Sequence, residues 1–582
     1  MHDELVSARV ASRLLGGALA VCLAPFGAAN AFPTVDPSNS AAVPGGGGAP
    51  FGVELHPRDV EGLQAQQKLT SQTPPTNKGW TIVPRITVQE MFTDNALEVK
   101  SPRRFDMVTV IAPGISINAD TPRVQLKLDY QPNLLLHAIN GPLNAVTQQL
   151  NMVGLFTVIP DLAYVDVRGL SGVQSRLGGL SGSGSLGSID SGPITTGSIS
   201  AAAAGGNGAS SSQGLNRQNE VQTTSLGISP YLLRRFGEYG TGKLGASVNA
   251  SSYSSLSGFI GNPLPFSTTG GQSILTTEQI AQFTSGEILG RFQSTLTANL
   301  SQSSIRTDAL PGLPKSMSSS KREIFNDQMS FALNRTFKLL GSVGHEFISY
   351  SNGAFPTING LTWNVGLTVT PNPDSSLTIT YGRQNGSDAV NSSGYYAITP
   401  RTLLSFDYTN TVGTQLENLQ NQLNNTFIGA NGQAFNAITG GPAFIGSNAN
   451  GAQTGLFRFN TFNASLQTTW QRDTLTGTLS WSNQTRTGAG NGVSTEVRTA
   501  SLAWVHELAP DLTMSTGASF SSTKRAGRIG NDTAFSAAAG LRYAVTDSTT
   551  LSARYSFFDR VSGIPGYSVY ENILLVGITK QF

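Results

Sequence analysis

The sequence predicts an all-β fold, a single transmembrane antiparallel up-and-down β-barrel. Three observations predict this fold class. Apolar and small polar residues alternate in segment after segment from Trp80 onward, short turns alternate with long connections rich in Gly, Ser and Asn, and one half of each alternation is polar. A sheet that spans lipid has to close on itself, because an unpaired strand edge finds no hydrogen-bond partner there.

The composition excludes several classes of protein. Glycine accounts for 65 of the 582 residues and charged residues for 12%, while 37 Lys and Arg against 35 Asp and Glu give a formal charge of +2. This balance leaves no surplus of cations to neutralise a phosphate backbone, so we expect no nucleic-acid partner. Past the signal-like start, no apolar run reaches the roughly 18 residues that a membrane-spanning helix needs.

The N-terminus predicts a secretory signal peptide over residues 1–31. Two arginines precede an apolar run over residues 14–24, and the small residues Ala29 and Ala31 suit cleavage by a signal peptidase. Cleavage removes Cys22, the single cysteine, so the mature chain can form no disulfide. The alternative is a lipoprotein acylated at Cys22, but the residue before this cysteine is larger than such a site usually has.

Residues 32–79 predict a flexible periplasmic N-terminal arm. The segment is rich in Pro, Gly and Gln and has only a thin apolar stripe. A plugged transporter driven by a periplasmic partner remains an alternative, although this arm is shorter than a folded plug of ordinary domain size, typically about 50 residues or more.

Residues 80–582 predict the barrel itself. The clearest hairpin pairs residues 363–369 with 377–381 across the turn 371–376, whose Pro, Asn, Asp and Ser fix φ or bond their own backbone. The same construction returns over residues 330–347, 395–408 and 539–557. Such segments number about 22, within roughly 18 to 24, because boundaries read from one sequence are soft.

The connections predict the orientation of the barrel. Short turns lie between the strands of each hairpin, whereas residues 177–214 and 417–455 form long Gly-, Ser- and Asn-rich connections. Outer-membrane barrels have short periplasmic turns and long extracellular loops. We therefore expect both termini in the periplasm and the protein in the cell outer membrane, with outer-membrane lipid as its surroundings.

A barrel of about 22 strands encloses a lumen that side chains cannot fill. Arginines on its wall would favour anionic solutes and raise the barrier for cations. The alternative, favoured for any single residue, is that each charge pairs with a neighbour such as Asp129 or Glu496 and solvates the wall. The candidate lumen-lining residues are Arg123, Lys127, Asp129, Arg383, Arg486, Arg498, Arg542 and Arg554.

The last strand ends the chain on an aromatic residue. Counting back by twos from Phe582 places Ile578, Val576 and Leu574 on one face, a pattern similar to the signal that barrel-assembly machinery recognises. Lys580 departs from this pattern, since an apolar residue is usual there, but its long side chain can reach the headgroups. We therefore predict the barrel-assembly machinery as a partner.

Six segments recur in the same order in a known family. They are Thr93-Asp94-Asn95, Ala112-Pro113-Gly114, Ser229-Pro230-Tyr231, Gly344-His345-Glu346, residues 363–382 and Tyr570-Glu571-Asn572. Through these segments the chain resembles the outer-membrane β-barrel family associated with PEP-CTERM/exosortase exopolysaccharide systems. The resemblance implies an envelope barrel with a role in exopolysaccharide export, with exopolysaccharide or its periplasmic export components as partners, and it implies no catalytic residues.

No motif predicts an enzyme, a metal site or a bound cofactor. His345 and Glu346 are neighbours in a strand and should point to opposite faces, so they cannot act as an acid/base pair. There is no cysteine pair, no His pair at i, i+4 and no Asp-rich loop. We expect a protein without catalytic activity.

The function favoured by these observations is that of a channel or export conduit, for exopolysaccharide or small anionic solutes. The alternative is a structural or surface-binding scaffold whose lumen is occluded by loops, and a stable blockage by residues 177–214 or 417–455 would favour it.

Overall fold

The structure is a computed structural model that describes residues 79–97, 99–175, 220–255, 271–307, 316–351, 357–372, 374–424, 426–428, 434–436, 456–486, 494–526, 531–563 and 568–582. The predicted signal peptide with Ala29 and Ala31, and the predicted arm as far as residue 78, lie outside the described residues. So does the predicted loop 177–214.

Twenty-two strands form one closed antiparallel barrel, which confirms the predicted fold class and strand number. Each strand pairs with its neighbours in sequence, and the last strand pairs with the first. The strands are β1 (Trp80–Thr93), β2 (Asp106–Asp120), β3 (Val124–His137), β4 (Ala145–Ile159), β5 (Ala163–Ser175), β6 (Glu220–Arg235), β7 (Gly240–Ser255), β8 (Gln272–Ser285), β9 (Phe292–Thr307), β10 (Ser316–Ala332), β11 (Phe337–Tyr350), β12 (Ile358–Asn372), β13 (Ser375–Gln384), β14 (Ser387–Thr399), β15 (Thr402–Gly413), β18 (Phe457–Thr469), β19 (Asp473–Arg486), β20 (Ser494–Ala509), β21 (Leu512–Arg525), β22 (Asp532–Thr546), β23 (Thr549–Val561) and β24 (Val569–Gln581).

Three further elements lie between β15 and β18. They are the helix α1 (Gln415–Asn424) and a separate two-stranded hairpin of β16 (Thr426–Ile428) and β17 (Ala434–Asn436). Among the helices of the described residues, none has both the length and the apolar character needed to cross a membrane.

Alternation along each strand separates a lumen face from an outer face. In β8, Ile274, Thr276 and Glu278 are buried, whereas Leu275 and Phe283, on the opposite face of the same strand, are exposed. Successive side chains of a strand point to opposite faces, so one set lines the lumen and the other contacts lipid. The predicted alternation over residues 363–369 and 377–381 follows the same rule in β12 and β13.

The two ends of the barrel differ in their connections. At the end that we call the short-turn rim, the connections have two to six residues, and they include the predicted turns near residues 334–336, 400–402 and 547–549. At the opposite end, the long-loop rim, the connection between β5 and β6 has 44 residues. This asymmetry is the one that the sequence predicts.

One connection at the long-loop rim is tight for a local reason. Asn385 (φ 51°) and Gly386 (φ 72°) both adopt positive φ, as a two-residue type I′ hairpin turn requires. The Glu346 carboxylate accepts hydrogen bonds from both backbone N–H groups, at 3.0 and 2.9 Å. Glu346 therefore holds the β13–β14 turn from the lumen face of β11.

The β1–β24 pair closes the barrel, and side chains from both ends of the chain reinforce it. The carboxylate of Asp94 accepts hydrogen bonds from the backbone N–H and the side-chain amide of Asn572, each 2.8 Å long. Thr93 Oγ1 donates to Glu571 Oε1 at 2.8 Å. We refer to these four residues as the seam clasp; they belong to the first and last of the segments that carry the family resemblance.

Candidate functional site

The helix α1 lies inside the barrel and is the main feature of the described lumen. It begins directly after β15 with a capping box: the Glu417 backbone N–H donates to Thr414 Oγ1 (3.1 Å), and the Thr414 N–H donates to Glu417 Oε2 (2.7 Å). These two bonds satisfy backbone donors that a helix start leaves unpaired. The capping box therefore turns the chain into a helix at the long-loop rim.

An apolar stripe fastens α1 to one side of the lumen. Leu416, Leu419 and Leu423 lie on one helix face, and the first two are completely buried. They pack against a patch of apolar lumen-face residues from five consecutive strands, β5 to β9, whose members are Leu170, Val221, Tyr253, Ile274 and Ile305. Helix and wall thus bury apolar surface that would otherwise face the lumen.

Polar contacts fix the same helix to the wall. Gln420 Nε2 donates to Ser251 Oγ at 2.9 Å, and Thr276 Oγ1 donates to Gln420 Oε1 at 3.1 Å. Both amide atoms of this buried glutamine are therefore paired, which avoids the cost of a buried polar group without a partner.

The two ends of α1 contact nearly opposite walls. Near its start Gln415 Nε2 donates to Gln484 Oε1 of β19 (3.0 Å), and near its end Arg168 of β5 donates to the Leu423 carbonyl (2.8 Å). In the ring of 22 strands, β5 and β19 are ten positions apart by the shorter route. Side chains at the two ends of the helix therefore reach separate parts of the lumen wall, and residues 417–424 of the helix belong to the predicted loop 417–455.

A cavity of about 60 Å³ lies between α1 and the wall. Glu278, Arg322, Tyr350 and Glu417 line it together with Asn, Ser and Thr residues. Arg322 donates to the carbonyl of Val412 at 2.8 Å. The charged groups behind the helix are of both signs, so the cavity by itself favours neither anions nor cations.

Five of the predicted lumen-lining residues lie on the lumen face: Lys127, Asp129, Arg486, Arg542 and Arg554. Four of these five residues are basic, and Arg560 of β23 also lies on the lumen face. The strands that carry these basic residues lie in the part of the ring that runs from β19 through β24 to β3. We call Lys127, Arg486, Arg542, Arg554 and Arg560 the basic arc. The arc faces the lumen from strands other than those on which the leucine stripe of α1 packs.

Asp129 forms an ion pair that the sequence did not reveal. Its carboxylate accepts two hydrogen bonds from Arg85 of β1, at 2.7 and 2.8 Å, and Gln131 accepts a third at 3.1 Å. Arg85 is almost completely buried and passes over Gly114 of β2, where a Cβ atom would lie 3.0 Å from its Nε atom. The sequence does carry one indication that Arg85 faces the lumen. Arg85 and Thr87 alternate with the apolar residues Ile86 and Val88 along β1.

Three predicted lumen-lining residues lie elsewhere, and these predictions were wrong. Arg123 is exposed in the turn between β2 and β3. Arg383 shares the outer face of β13 with the exposed Tyr381. Arg498 lies on the outer face of β20 and pairs with Glu496 at 2.7 Å, the neighbour that the alternative interpretation named.

The reason for the two outward arginines is their height in the barrel. Arg383 and Arg498 lie close to the long-loop ends of their strands, where the outer face meets water rather than hydrocarbon. Polarity there no longer distinguishes the lumen face from the outer face.

The predicted residues of the last strand share one face. Leu574, Val576, Ile578 and Phe582 are exposed on the outer face of β24 and at its end. Lys580 lies on the same face, and its Nζ donates to Ser548 Oγ of the adjoining turn at 2.6 Å. Recognition of this strand by assembly machinery stays a prediction.

Two of the three histidines in the described residues pair with a carboxylate. His137 Nδ1 lies 2.9 Å from Asp106 Oδ2 inside the barrel, and His506 Nδ1 lies 2.8 Å from Asp473 Oδ1 on the outer face. His345 and Glu346 point to opposite faces of β11. Within the part of the chain that the structure describes, no group of three or more His, Cys, Asp or Glu residues could hold a metal ion.

The closed ring, its polar lumen face and its apolar outer face together define an outer-membrane β-barrel protein. Comparison with protein families agrees: residues 427–582 match the family described as "Putative beta-barrel porin 2". No curated protein sequence matches the chain significantly.

Several solved structures are similar to this chain at low sequence identity. The siderophore receptor PirA from Acinetobacter baumannii is 9% identical, with 88% of this chain and 81% of that chain covered and a TM-score of 0.46. The ferric-catecholate import receptor Fiu from Escherichia coli K12, in its open form, is 10% identical over 88% and 82% of the two chains, also at 0.46. FpvA from Pseudomonas aeruginosa is 11% identical over 86% and 72%, with the same TM-score. These similarities concern the fold alone.

Proposed function

We propose that the protein is a passive outer-membrane channel or export conduit, without catalytic activity, whose passage runs between α1 and the basic arc. The observation that carries this proposal is the position of α1, which narrows the lumen and leaves the arginines of β19, β22 and β23 facing it. Positive charge along a pore wall favours anions.

The dimensions support a passage that is narrowed rather than filled by this helix. Twenty-two strands about 4.8 Å apart and tilted by about 40° enclose a ring roughly 40 Å across between backbones. A helix of ten residues is about 15 Å long and roughly 10 Å wide.

Orientation follows from the rims. In outer-membrane barrels the short turns are periplasmic and the long loops are extracellular. We therefore place the short-turn rim in the periplasm, so that α1 enters the lumen from the cell surface and the last strand ends on the side from which assembly machinery would act.

The proposal is tested by conductance across planar bilayers, using residues 32–582 refolded in detergent. We expect large ohmic steps, with a reversal potential that shows preference for anions. The double variant Arg542→Ala/Arg554→Ala should lose much of that preference, whereas Arg383→Ala, on the outer face, should retain it. An inserted barrel with unchanged selectivity in the double variant would contradict the role of the basic arc.

The substrate class requires a second measurement. The resemblance to an exopolysaccharide-associated family makes acidic polysaccharide the first large solute to test. If the barrel is a conduit for it, added acidic oligosaccharide should interrupt the current in a concentration-dependent way, and a neutral oligosaccharide of the same length should not. Equal interruption by both would leave small anions as the better substrate class.

One observation favours a second candidate function, a surface-binding scaffold with an occluded lumen. The helix α1 is fastened by buried leucines as well as by hydrogen bonds, which makes it a stable obstruction of part of the lumen. A properly inserted barrel that shows no conductance until α1 is released from the wall would support the scaffold and contradict the open channel.

A further inference from the structure

The outer face of β18 to β21 carries an apolar groove that the channel proposal does not use. Its volume is about 430 Å³. Small residues form its floor and larger side chains, such as Leu502 and Phe520, form its walls. The floor residues are Ala464, Gly477, Ala500 and Ala518.

The groove follows from the register of the strands. Along one row Ala464 pairs with Leu479, which pairs with Ala500, so a large side chain separates two small ones. On the next row Gly477 pairs with Leu502. Because the small residues are staggered from row to row, they leave the groove between the large side chains on the outer face of the sheet.

Gly477 shows that the backbone does not force this groove. A Cβ atom added there would meet nothing closer than 3.8 Å, which is ordinary van der Waals contact. By comparison, a Cβ at Gly382 would lie 2.0 Å from the Trp363 carbonyl oxygen. A side chain could therefore fill the groove at Gly477 without disturbing the sheet.

The short-turn rim lies below the groove, and two of its turns meet there. Leu404, close to the turn that holds Arg401, lines the groove. The Thr469 N–H donates to the Arg401 carbonyl at 3.0 Å, which joins this turn to the one that holds Trp470 and Arg472. Both arginines are exposed, and within the described residues neither forms an ion pair with a carboxylate.

The carboxylate nearest in sequence to these arginines is already engaged. Asp473 Oδ1 accepts a hydrogen bond from Trp504 Nε1 and lies 2.8 Å from His506 Nδ1. This contact also holds the indole of Trp504 on the outer face, at the height where aromatic side chains meet the headgroup region. The rim below the groove therefore keeps exposed positive charge beside aromatic rings.

We propose that this surface binds one glycerophospholipid of the leaflet at the short-turn rim, with an acyl chain in the groove and its phosphate at Arg401 and Arg472. The occupant must be apolar at one end and anionic at the other. From Arg472 to Gly477 the strand advances five residues, about 17 Å, which is comparable with half of the roughly 30 Å hydrocarbon core.

Charge argues against a second copy of the chain as the occupant. Copies inserted in the same direction share the same rim, so contact through this face would bring Arg401 and Arg472 of one copy toward those of the other. Like charges opposed in this way are unfavourable. A phospholipid supplies the opposite charge instead.

The test counts phospholipids bound to the full-length mature barrel, extracted from outer membranes in mild detergent, by native mass spectrometry. Gly477→Phe fills the groove, and Arg401→Ala/Arg472→Ala removes the headgroup site. Matched controls are Ala553→Phe on the outer face of β23 and Arg335→Ala in another turn of the same rim. Heat-modifiable migration on gels shows that each variant is folded.

We expect the parent and both controls to retain one phospholipid that the two site variants lose. Occupancy in the arginine variant should fall roughly tenfold or more, as expected for the loss of charge-assisted hydrogen bonds. Equal retention in the parent and both site variants would overturn the proposal. So would a detergent-stable oligomer that Gly477→Phe dissociates, because the groove would then hold a second copy.

Discussion

Release of α1 from the lumen wall is the most informative perturbation of this barrel. The double variant Leu416→Ala/Leu419→Ala shortens two side chains of the stripe that packs on β5 to β9. Alanine is the best helix former, and the capping box at Thr414 remains, so the helix itself should persist. The substitution therefore acts on docking rather than on helix formation.

The size of the effect follows from burial. Both leucines are completely buried against the wall. Truncation of each to alanine costs about 2 kcal/mol of apolar burial, hence roughly 4 kcal/mol for both. That free energy corresponds to nearly a thousandfold change in the ratio of docked to undocked helix.

Two measurements report on this ratio. Single-channel recordings in planar bilayers should show larger conductance steps, and amide hydrogen exchange over residues 415–424 should be faster by roughly the same factor of a thousand. Leu479→Ala is the matched control, since Leu479 is exposed on the outer face and its truncation leaves α1 in place. A double variant with the conductance and the exchange rates of the parent would show that these leucines do not hold α1 against the wall.

Three further substitutions test contacts in the wall. Asp129→Asn should lower the free energy of unfolding by about 3 kcal/mol, because Arg85 would be left as a buried charge without its carboxylate. Thermal unfolding, followed by loss of the folded band on semi-native gels, measures this change. An unchanged midpoint would contradict the ion pair. Asp94→Ala removes two hydrogen bonds of the seam clasp, so we expect a smaller loss, about 1 kcal/mol, in the same assay. Gly382→Ala should reduce the yield of folded barrel because its Cβ would collide with backbone, whereas Gly477→Ala should fold normally; equal yields would refute the assigned close approach.

The barrel was predictable from sequence because lipid and lumen impose opposite demands on adjacent residues. In β12 and β13, Val365 and Ile379 face lipid while Thr368 and Thr378 face the lumen, so the alternation is clear. Turn residues then mark where each strand ends. Both signals are local, and the number of strands follows from counting them.

The helix α1 was not predictable in this way, because its signal is divided among distant segments. Leu416 and Leu419 lie in a connection dominated by Asn, Gln and Gly, which favours a loop. The other half of the contact consists of apolar residues on lumen faces, such as Ile274 and Ile305. Only the closed ring brings these residues to one surface, so the pairing cannot be read from either segment alone. The capping box from Thr414 to Glu417 was the one local indication.

The pairing of charges is likewise set by the ring. Asp129 was expected on the lumen face, but its partner Arg85 lies two strands away and reaches it across a glycine. A sequence shows which face of its strand each charged residue occupies. Whether a long side chain can reach across a neighbouring strand depends on the residue of that strand that lies in its path, which here is Gly114.

The seam between β1 and β24 has a consequence for the order of assembly. Thr87 and Thr579, whose hydroxyl oxygens are 2.9 Å apart across the seam, are separated by 492 positions in the chain. For a free chain, closing a loop of that length costs roughly 5 kcal/mol of entropy, against about 1 kcal/mol for a three-residue turn. The hairpins should therefore form first, as an open curved sheet with two bare edges, and the ring should close last. Because the seam clasp uses residues 571 and 572, a chain released before its final strand lacks half of the closing contacts. Closure of the ring thus requires that β24 is present.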